Sequence, residues 1–224
     1  MRRELKLVQD INTMHQILDY LRANSSFRVH HPSQFVNSLY FDDASLSNAF
    51  DNLSGISERK KVRLRWYDPI NNVDKLPSEM NLEIKRKKAS LSNKEVFKIN
   101  NINPEEKLTY VSLTKYLNTS LNNYKISSPL LQPTLQVQYY REYYIIDSEI
   151  RITVDYQLKF IDAISQNKPN KFSFEKFDKC ILEIKFHPKL TQNVASIINK
   201  LKCSPVRNSK YLIGLSLLGY IKYL

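Results

Sequence analysis

The sequence predicts an α+β fold, in which an antiparallel β-sheet of about eight strands is flanked by helices. The composition favours strands, because the 224 residues include only 3 Gly but 14 Tyr and 10 Phe. Several segments alternate apolar and polar side chains with the period of a strand, and others repeat their apolar residues with the period of a helix. No segment has the composition of a linker, so we predict a single domain over residues 1–224.

The strands are predicted from alternation, as where Val62, Leu64 and Trp66 share one face and Arg63 and Arg65 share the other. Strands are expected at Glu4–Val8, Phe35–Phe41, Arg59–Tyr67, Asn81–Lys87, Glu95–Ile99, Leu135–Ile146, Glu149–Asp155 and Cys180–Phe186. Helices are predicted from apolar spacing and from capping residues. They are expected from Asp10 through Leu21, from Asp43 to Gly55, and at Pro104–Leu121, Leu190–Leu201 and Ser209–Tyr223.

Basic residues dominate the charge, because 34 Lys and Arg stand against 22 Asp and Glu, giving a net charge of +12. This excess favours a polyanionic partner, which composition leaves open as nucleic acid, an anionic membrane surface or a phosphate-rich small molecule. The basic residues recur two apart on several strands. Two arrangements explain that pattern: a solvent-exposed charged face, or a closed barrel whose wet lumen gathers the side chains around a linear polyanion.

The two cysteines, Cys180 and Cys203, lack the spacing of a metal site, and Cys180 is expected in the core. The four histidines lack convincing ligand spacing. The N-terminal residues lack the apolar centre of a signal peptide, and the longest apolar stretch, Tyr211–Tyr223, is too short to cross a bilayer. We therefore expect a cytoplasmic protein without a membrane span.

Eight short motifs then narrow these possibilities, in the order RRELK (2–6), SLYFDD (38–43), KVRLRWYD (61–68), LEIKRK (82–87), YYREYY (139–144), RITVDYQL (151–158), LEIKF (182–186) and SKY (209–211). Together they resemble the VTC domain family of polyphosphate polymerases, a branch of the triphosphate tunnel metalloenzymes. The resemblance implies a closed eight-stranded antiparallel β-tunnel flanked by helices. The opening RRELK lacks the longer ExExK pattern of the thiamine triphosphatase and adenylate cyclase branch, which argues against those two activities.

The resemblance also implies roles for individual residues. Arg63 and Arg65 would bind the phosphates of the nucleotide, Lys85 would reach in from another strand, and Arg141 and Arg151 would line the opposite wall. The contacts to the phosphate chain would come from Lys6, Lys61, Ser209 and Lys210.

Metal binding is implied for Glu183, which would hold Mn²⁺ or Mg²⁺ with Lys185 beside it. Glu83 is either a second metal contact or an ion-pair partner. Asp155 is expected to hold a basic neighbour.

The implied reaction transfers the terminal phosphoryl group of ATP to a growing polyphosphate chain and releases ADP. Its expected partners are ATP and inorganic polyphosphate or pyrophosphate, with no nucleic acid. Two alternatives stay open: a metal-dependent triphosphatase or polyphosphatase, and a polyanion-binding module without catalysis.

Overall fold

The computed structural model describes residues 3–23, 26–68, 75–89, 91–103, 105–128, 130–166, 168 and 173–223. These residues form nine strands: β1 (Arg3–Gln9), β2 (Arg28–Asp42), β3 (Glu58–Asp68), β4 (Met80–Lys88), β5 (Leu91–Ile99), β6 (Gln132–Ile146), β7 (Ile150–Asp162), β8 (Glu175–Phe177) and β9 (Cys180–Phe186). The α-helices are α1 (Ile11–Arg22), α2 (Ser47–Leu53), α3 (Tyr110–Asn123), α4 (Thr191–Leu201) and α5 (Lys210–Leu217). A 3₁₀ helix, Pro188–Leu190, precedes α4.

The strands form one sheet in the order β1-β9-β7-β6-β2-β3-β4-β5, and the short β8 pairs with β7. The predicted antiparallel pairing is observed in the ladders β1–β9, β7–β9, β2–β3, β3–β4 and β4–β5. The three-residue β8 is the strand that alternation did not predict. Among the described strands the path of pairing has two ends, β1 and β5, so the hydrogen-bond ladder is not a closed ring.

The chain divides into two compact units. Unit 1 comprises residues 1–34, 139–158 and 176–208, and unit 2 comprises residues 35–138, 159–175 and 209–224. Each has a hydrophobic core of its own. In unit 1, Leu7 of β1 and Val154 of β7 pack with buried residues of α1, β9 and α4. The prediction of a single domain stays a prediction.

The core of unit 2 explains why β3 and β4 alternate. Val62, Leu64 and Trp66 are buried against Leu82 of β4 and Leu113 of α3. Burying this apolar face turns the alternate residues of β3, among them Arg63 and Arg65, to the other side of the sheet.

The start of α1 agrees with the prediction, whereas the starts of α2 and α3 differ from it. Asp10 caps α1 as expected, through its side chain and the Thr13 amide. At α2, however, the helical amides of Asn48 and Ala49 donate to the buried Asp42, while Asp43 accepts from Ser47 one residue earlier.

The third helix begins at Tyr110 behind a capping box formed by Thr109 and Ser112. This start is later than the predicted Pro104, which lies outside the described residues. At the other end of the chain, α5 ends at Leu217, before the predicted Tyr223.

The buried Cys180 is confirmed as a core residue. In the described part of the chain, no helix is both long and apolar enough to cross a membrane.

Candidate functional site

The register of β2, β3 and β4 places polar side chains of unit 2 in rows across one face of the sheet. Tyr40 pairs with Arg63, which pairs in turn with Glu83. In the adjacent row, Ser38 pairs with Arg65, and the Ser38 hydroxyl accepts a hydrogen bond from Arg65 Nε at 3.1 Å. The arginines are therefore held by their cross-strand neighbours, which limits the rotamers they can adopt.

Glu83 lies at the centre of this cluster and interacts with three cationic side chains. Its carboxylate accepts from Nε and Nη2 of Arg63 at 2.7 and 2.5 Å and from Lys94 Nζ at 2.8 Å. Arg65 Nη1 lies 3.9 Å away. Burial alone would raise the pKa of Glu83, but the charges of Arg63, Arg65 and Lys94 outweigh it and lower the pKa to about 2. Glu83 is thus an ionised ion-pair partner.

Lys94 of β5 extends this face into a row of three lysines. Lys61 pairs with Lys85, and Lys85 pairs with Lys94. Like charges directly opposite one another repel, so the row is suited to a bound anion. Burial together with Arg63 lowers the pKa of Lys94, although Glu83 opposes that shift.

The start of α5 lies beside the same row. Lys61 Nζ donates to the Ser209 hydroxyl at 3.0 Å, and Ser209 is the N-cap of α5. The following Lys210 is half-buried, and Tyr211 donates its hydroxyl proton to the buried Asp42 at 2.8 Å. Unit 2 therefore brings together Lys61, Arg63, Arg65, Glu83, Lys85, Ser209 and Lys210 from the predicted set.

In unit 1 the antiparallel ladder of β1 and β9 builds a second cluster, with Lys6 opposite Glu183. Lys185 Nζ lies 2.5 Å from one oxygen of Glu183, and Lys6 Nζ lies 3.8 Å from the other. Lys6 also lies 3.2 Å from the Glu4 carboxylate and donates to the main-chain oxygen of Asn208 at 3.1 Å. Two lysines and two carboxylates thus share this cluster.

Glu183 is only 8% exposed, yet it is ionised. Burial would raise its pKa, but the charges of Lys185, Lys6 and Arg141 lower the pKa to about 2. The carboxylate is therefore ionised at neutral pH, and Lys185 and Lys6 contact its two oxygens.

Arg141 forms a bidentate pair with the fully buried Asp155, as the sequence predicted for that aspartate. Nε and Nη2 donate to its two oxygens at 2.5 and 2.8 Å. The guanidinium also lies 5.1 Å from the centre of the Tyr139 ring. Although burial opposes it, Asp155 raises the pKa of Arg141 well above the usual value. Arg151, in contrast, is exposed and pairs with Lys185 across β7 and β9.

The residues of unit 1 fit a hard divalent cation in part. Glu183 supplies an ionised oxygen ligand, and Glu4 supplies a second carboxylate that shares Lys6 with it. Among the described residues, however, no group of three or more His, Cys, Asp or Glu could hold a metal ion without help. Mg²⁺ is commonly bound by one or two carboxylates together with substrate phosphates and water, and this cluster supplies only the two carboxylates of such a site.

The sequence patterns predicted no role for Tyr40, Lys94, Asp42 or Glu4. Tyr40 and Asp42 lie inside the SLYFDD motif, so the motif offered a signal that was not used. Glu4 lies two residues before Lys6 on the same face of β1. Lys94 gave no such signal, because its contact with Glu83 depends on the register of β4 and β5.

Comparison with known proteins identifies relatives of this chain. A family model described as the VTC domain matches residues 1–219. No curated protein matches the chain in sequence.

Solved structures with the same fold have low sequence identity to this chain. The HpAC1 protein from Hippeastrum, a candidate adenylyl cyclase with a dominant triphosphatase activity, is 15% identical, with a TM-score of 0.54 and 96% of each chain covered. The PH1819 protein from Pyrococcus horikoshii is also 15% identical, with a TM-score of 0.52 over 96% of this chain and 99% of that one. A candidate adenylate cyclase from Vibrio parahaemolyticus is 11% identical, with a TM-score of 0.51 over 96% and 97%. These likenesses confirm the predicted α+β fold.

Proposed function

Because this chain belongs to the VTC domain family, we propose that it is an inorganic polyphosphate polymerase. It transfers the terminal phosphoryl group of ATP to the end of a polyphosphate chain and releases ADP. The observation that supports this most is the unit 2 cluster, in which Arg63, Arg65 and Lys94 surround one buried carboxylate. Lys94 also ends a row of three lysines across the strands. That cluster has more positive than negative charge, as a site for a polyphosphate requires.

The proposed chemistry needs positioning and charge neutralisation more than it needs a protein nucleophile. Arginine binds phosphate oxygens through parallel N–H donors in a fixed geometry, so Arg63 and Arg65 are assigned to the phosphates of ATP. Lys61, Lys85, Ser209 and Lys210 are assigned to phosphate contacts on the same face. In unit 1 the same role is assigned to Lys6, Arg141, Arg151 and Lys185.

A divalent cation, Mn²⁺ or Mg²⁺, is the proposed cofactor, with Glu183 as its protein ligand. When bound, it would neutralise charge on the phosphoryl oxygens. Lys6 and Lys185 already contact both oxygens of Glu183, so they orient the carboxylate and keep it ionised. We do not assign a metal to Glu83, because both of its oxygens accept hydrogen bonds, one from Arg63 and the other from Lys94. Among the described residues, the second oxygen of Glu183 has only the longer 3.8 Å contact with Lys6.

The experiment that tests the proposal incubates the purified protein with ATP and Mn²⁺ and separates the products on a polyacrylamide gel stained for polyphosphate. We expect a ladder of long chains together with ADP. Arg65→Ala should lower turnover roughly a hundredfold, equivalent to about 3 kcal/mol of barrier, because one preorganised contact is lost. Near-normal turnover of a folded Arg65→Ala protein would refute the assignment of Arg65.

Triphosphate hydrolysis is the second candidate, favoured by the dominant triphosphatase activity of the similar HpAC1 protein. Water would replace the acceptor phosphate with little change in the residues required. Free phosphate without chains in the same assay would favour this function over polymerisation.

Polyanion binding without catalysis is distinguished by competition. Tripolyphosphate should displace bound polyphosphate at micromolar concentration, whereas a broad nucleic-acid surface would respond chiefly to salt. We propose that the protein acts in the cytoplasm and that nucleic acid is not its partner.

A further inference from the structure

Tyr40 of β2 is held beside the proposed phosphate-binding arginines by contacts on two sides. Its hydroxyl oxygen accepts a hydrogen bond from Arg63 Nη1 at 2.9 Å. Its ring stacks on Tyr211, with 4.8 Å between ring centres and an angle of 16° between the planes. The side chain is only 6% exposed, so these contacts fix the position of the hydroxyl.

The hydrogen-bonding capacity of the Tyr40 hydroxyl is only partly used. A phenol has one proton to donate in addition to its acceptor positions, and the contact with Arg63 uses an acceptor position. Within the residues that the structure describes, no acceptor for the Tyr40 proton is found. Two other buried tyrosines of unit 2 differ, because Tyr110 donates to Gln136 at 3.0 Å and Tyr211 donates to Asp42 at 2.8 Å.

The charges around Tyr40 favour an anionic acceptor for that proton. Burial would raise the pKa of the Tyr40 hydroxyl, but Arg63, Arg65 and Lys210 outweigh it and lower the pKa. Three cations that attract negative charge to the hydroxyl will attract a phosphate in the same way. A phenol that already accepts from Arg63, has no described acceptor for its own proton and lies among cations is suited to donate to an anionic ligand.

We infer that the Tyr40 hydroxyl is a further phosphate ligand, which donates a hydrogen bond to a phosphoryl oxygen bound beside Arg63. This inference rests on the proposed function, since it takes the same phosphate chain as its ligand. In this arrangement Arg63 fixes the phenol oxygen by donating to it, and the phenol proton is directed to the substrate. Hydrogen bonds from a neutral hydroxyl to an anion are short and strong, so the contact adds to affinity as well as to orientation.

The test measures tripolyphosphate binding by calorimetry in Tyr40→Phe, which keeps the ring and its stacking on Tyr211. We expect a Kd about tenfold higher than in the wild type, the size expected for one lost hydrogen bond to a charged group. The matched control is Tyr110→Phe, which removes a buried hydroxyl whose proton is already donated to Gln136. The control should bind tripolyphosphate within about twofold of the wild type while unfolding at a lower temperature.

A spectroscopic readout separates a ligand from a merely structural role. When a phenol donates to an anion its near-ultraviolet absorption shifts to longer wavelength, so tripolyphosphate should produce this shift in the wild type and not in Tyr40→Phe. If Tyr40→Phe does not fold, the absence of any shift in the wild type at saturating tripolyphosphate would overturn the inference.

The remaining outcomes separate this inference from the proposed function. Unchanged affinity in folded Tyr40→Phe, with weaker binding by Arg65→Ala, would reject the role of Tyr40 and retain the phosphate site. Wild-type protein that does not bind tripolyphosphate at all would reject both.

Discussion

Replacing Asp155 with asparagine should destabilise the protein strongly, because it removes the charge that balances Arg141. Asp155 is completely buried, and both of its oxygens accept hydrogen bonds from Arg141, at 2.5 and 2.8 Å. The Arg141 side chain keeps only 12% of its surface exposed. Removing one partner of a buried pair costs about 3–5 kcal/mol, because the other charge is left without compensation. Since asparagine can still accept one hydrogen bond, we expect a loss of about 3 kcal/mol.

The assay is urea unfolding followed by circular dichroism, with Asp19→Asn as the matched control. Asp19 also pairs with an arginine, Arg22, at 2.8 Å, but its side chain is 72% exposed. An exposed pair contributes about 0–1 kcal/mol, so the control should lose little stability. Adding Arg141→Met to Asp155→Asn should then recover part of the lost free energy, because the uncompensated charge is removed. Equal losses in the two single variants would refute this reasoning.

Three further predictions concern other parts of the molecule. The pKa of Glu83 falls from 4.5 to about 2 on folding, so its carboxylate stabilises the native state above pH 4.5. This contribution, up to ~3 kcal/mol, is lost as the pH falls towards 2. Urea unfolding of Glu83→Gln should show a weaker pH dependence in that window, and an unchanged dependence would contradict the pairing. A Cβ at Gly214 would lie 2.5 Å from side-chain atoms of Leu135 and Phe160. Through overpacking, Gly214→Ala should therefore lower the free energy of unfolding by about 1–3 kcal/mol, measured by thermal unfolding. An unchanged melting temperature would exclude the clash. Glu183→Gln should weaken Mn²⁺ binding in the presence of tripolyphosphate about tenfold, measured by electron paramagnetic resonance, because a neutral amide is a poorer ligand for a hard cation; equal Mn²⁺ affinity would place the metal elsewhere.

Periodicity predicted the elements whose pattern is set by a single buried face. The helix after Asp10 and the strand containing Val62 and Leu64 were predicted correctly, because each buries a single apolar face. The helix buries it in the core of unit 1 and the strand in the core of unit 2. Ends of elements were predicted less well. Strand β2 begins at Arg28, seven residues before the predicted start at Phe35. The earlier start was missed because the first residues of the strand are largely exposed and lack alternation.

The partners of the charged side chains could not be predicted from the sequence. Alternation places Glu83 on the same face as Lys85, but only the strand register decides that its carboxylate lies opposite Arg63 and close to Lys94. A shift of one residue would turn every side chain of the strand to the other face. The resemblance to a family gave Arg63 and Glu83 as candidate residues but not Lys94, and the pairing of all three needed the structure.

The pairing shows that the two clusters differ in the balance of their charges. In unit 2, three cations contact the single carboxylate of Glu83, which leaves an excess of positive charge for an anion. In unit 1, the cations Lys6 and Lys185 contact the carboxylates of Glu4 and Glu183, so these direct contacts involve two positive and two negative charges. A phosphate entering unit 2 meets arginines already oriented by Glu83, and this preorganisation lowers the cost of binding. A phosphate approaching unit 1 meets two negative charges, and a divalent cation bound to them would make its approach favourable. The difference in charge thus gives a physical reason to assign the phosphates of ATP to Arg63 and Arg65 and the metal to Glu183.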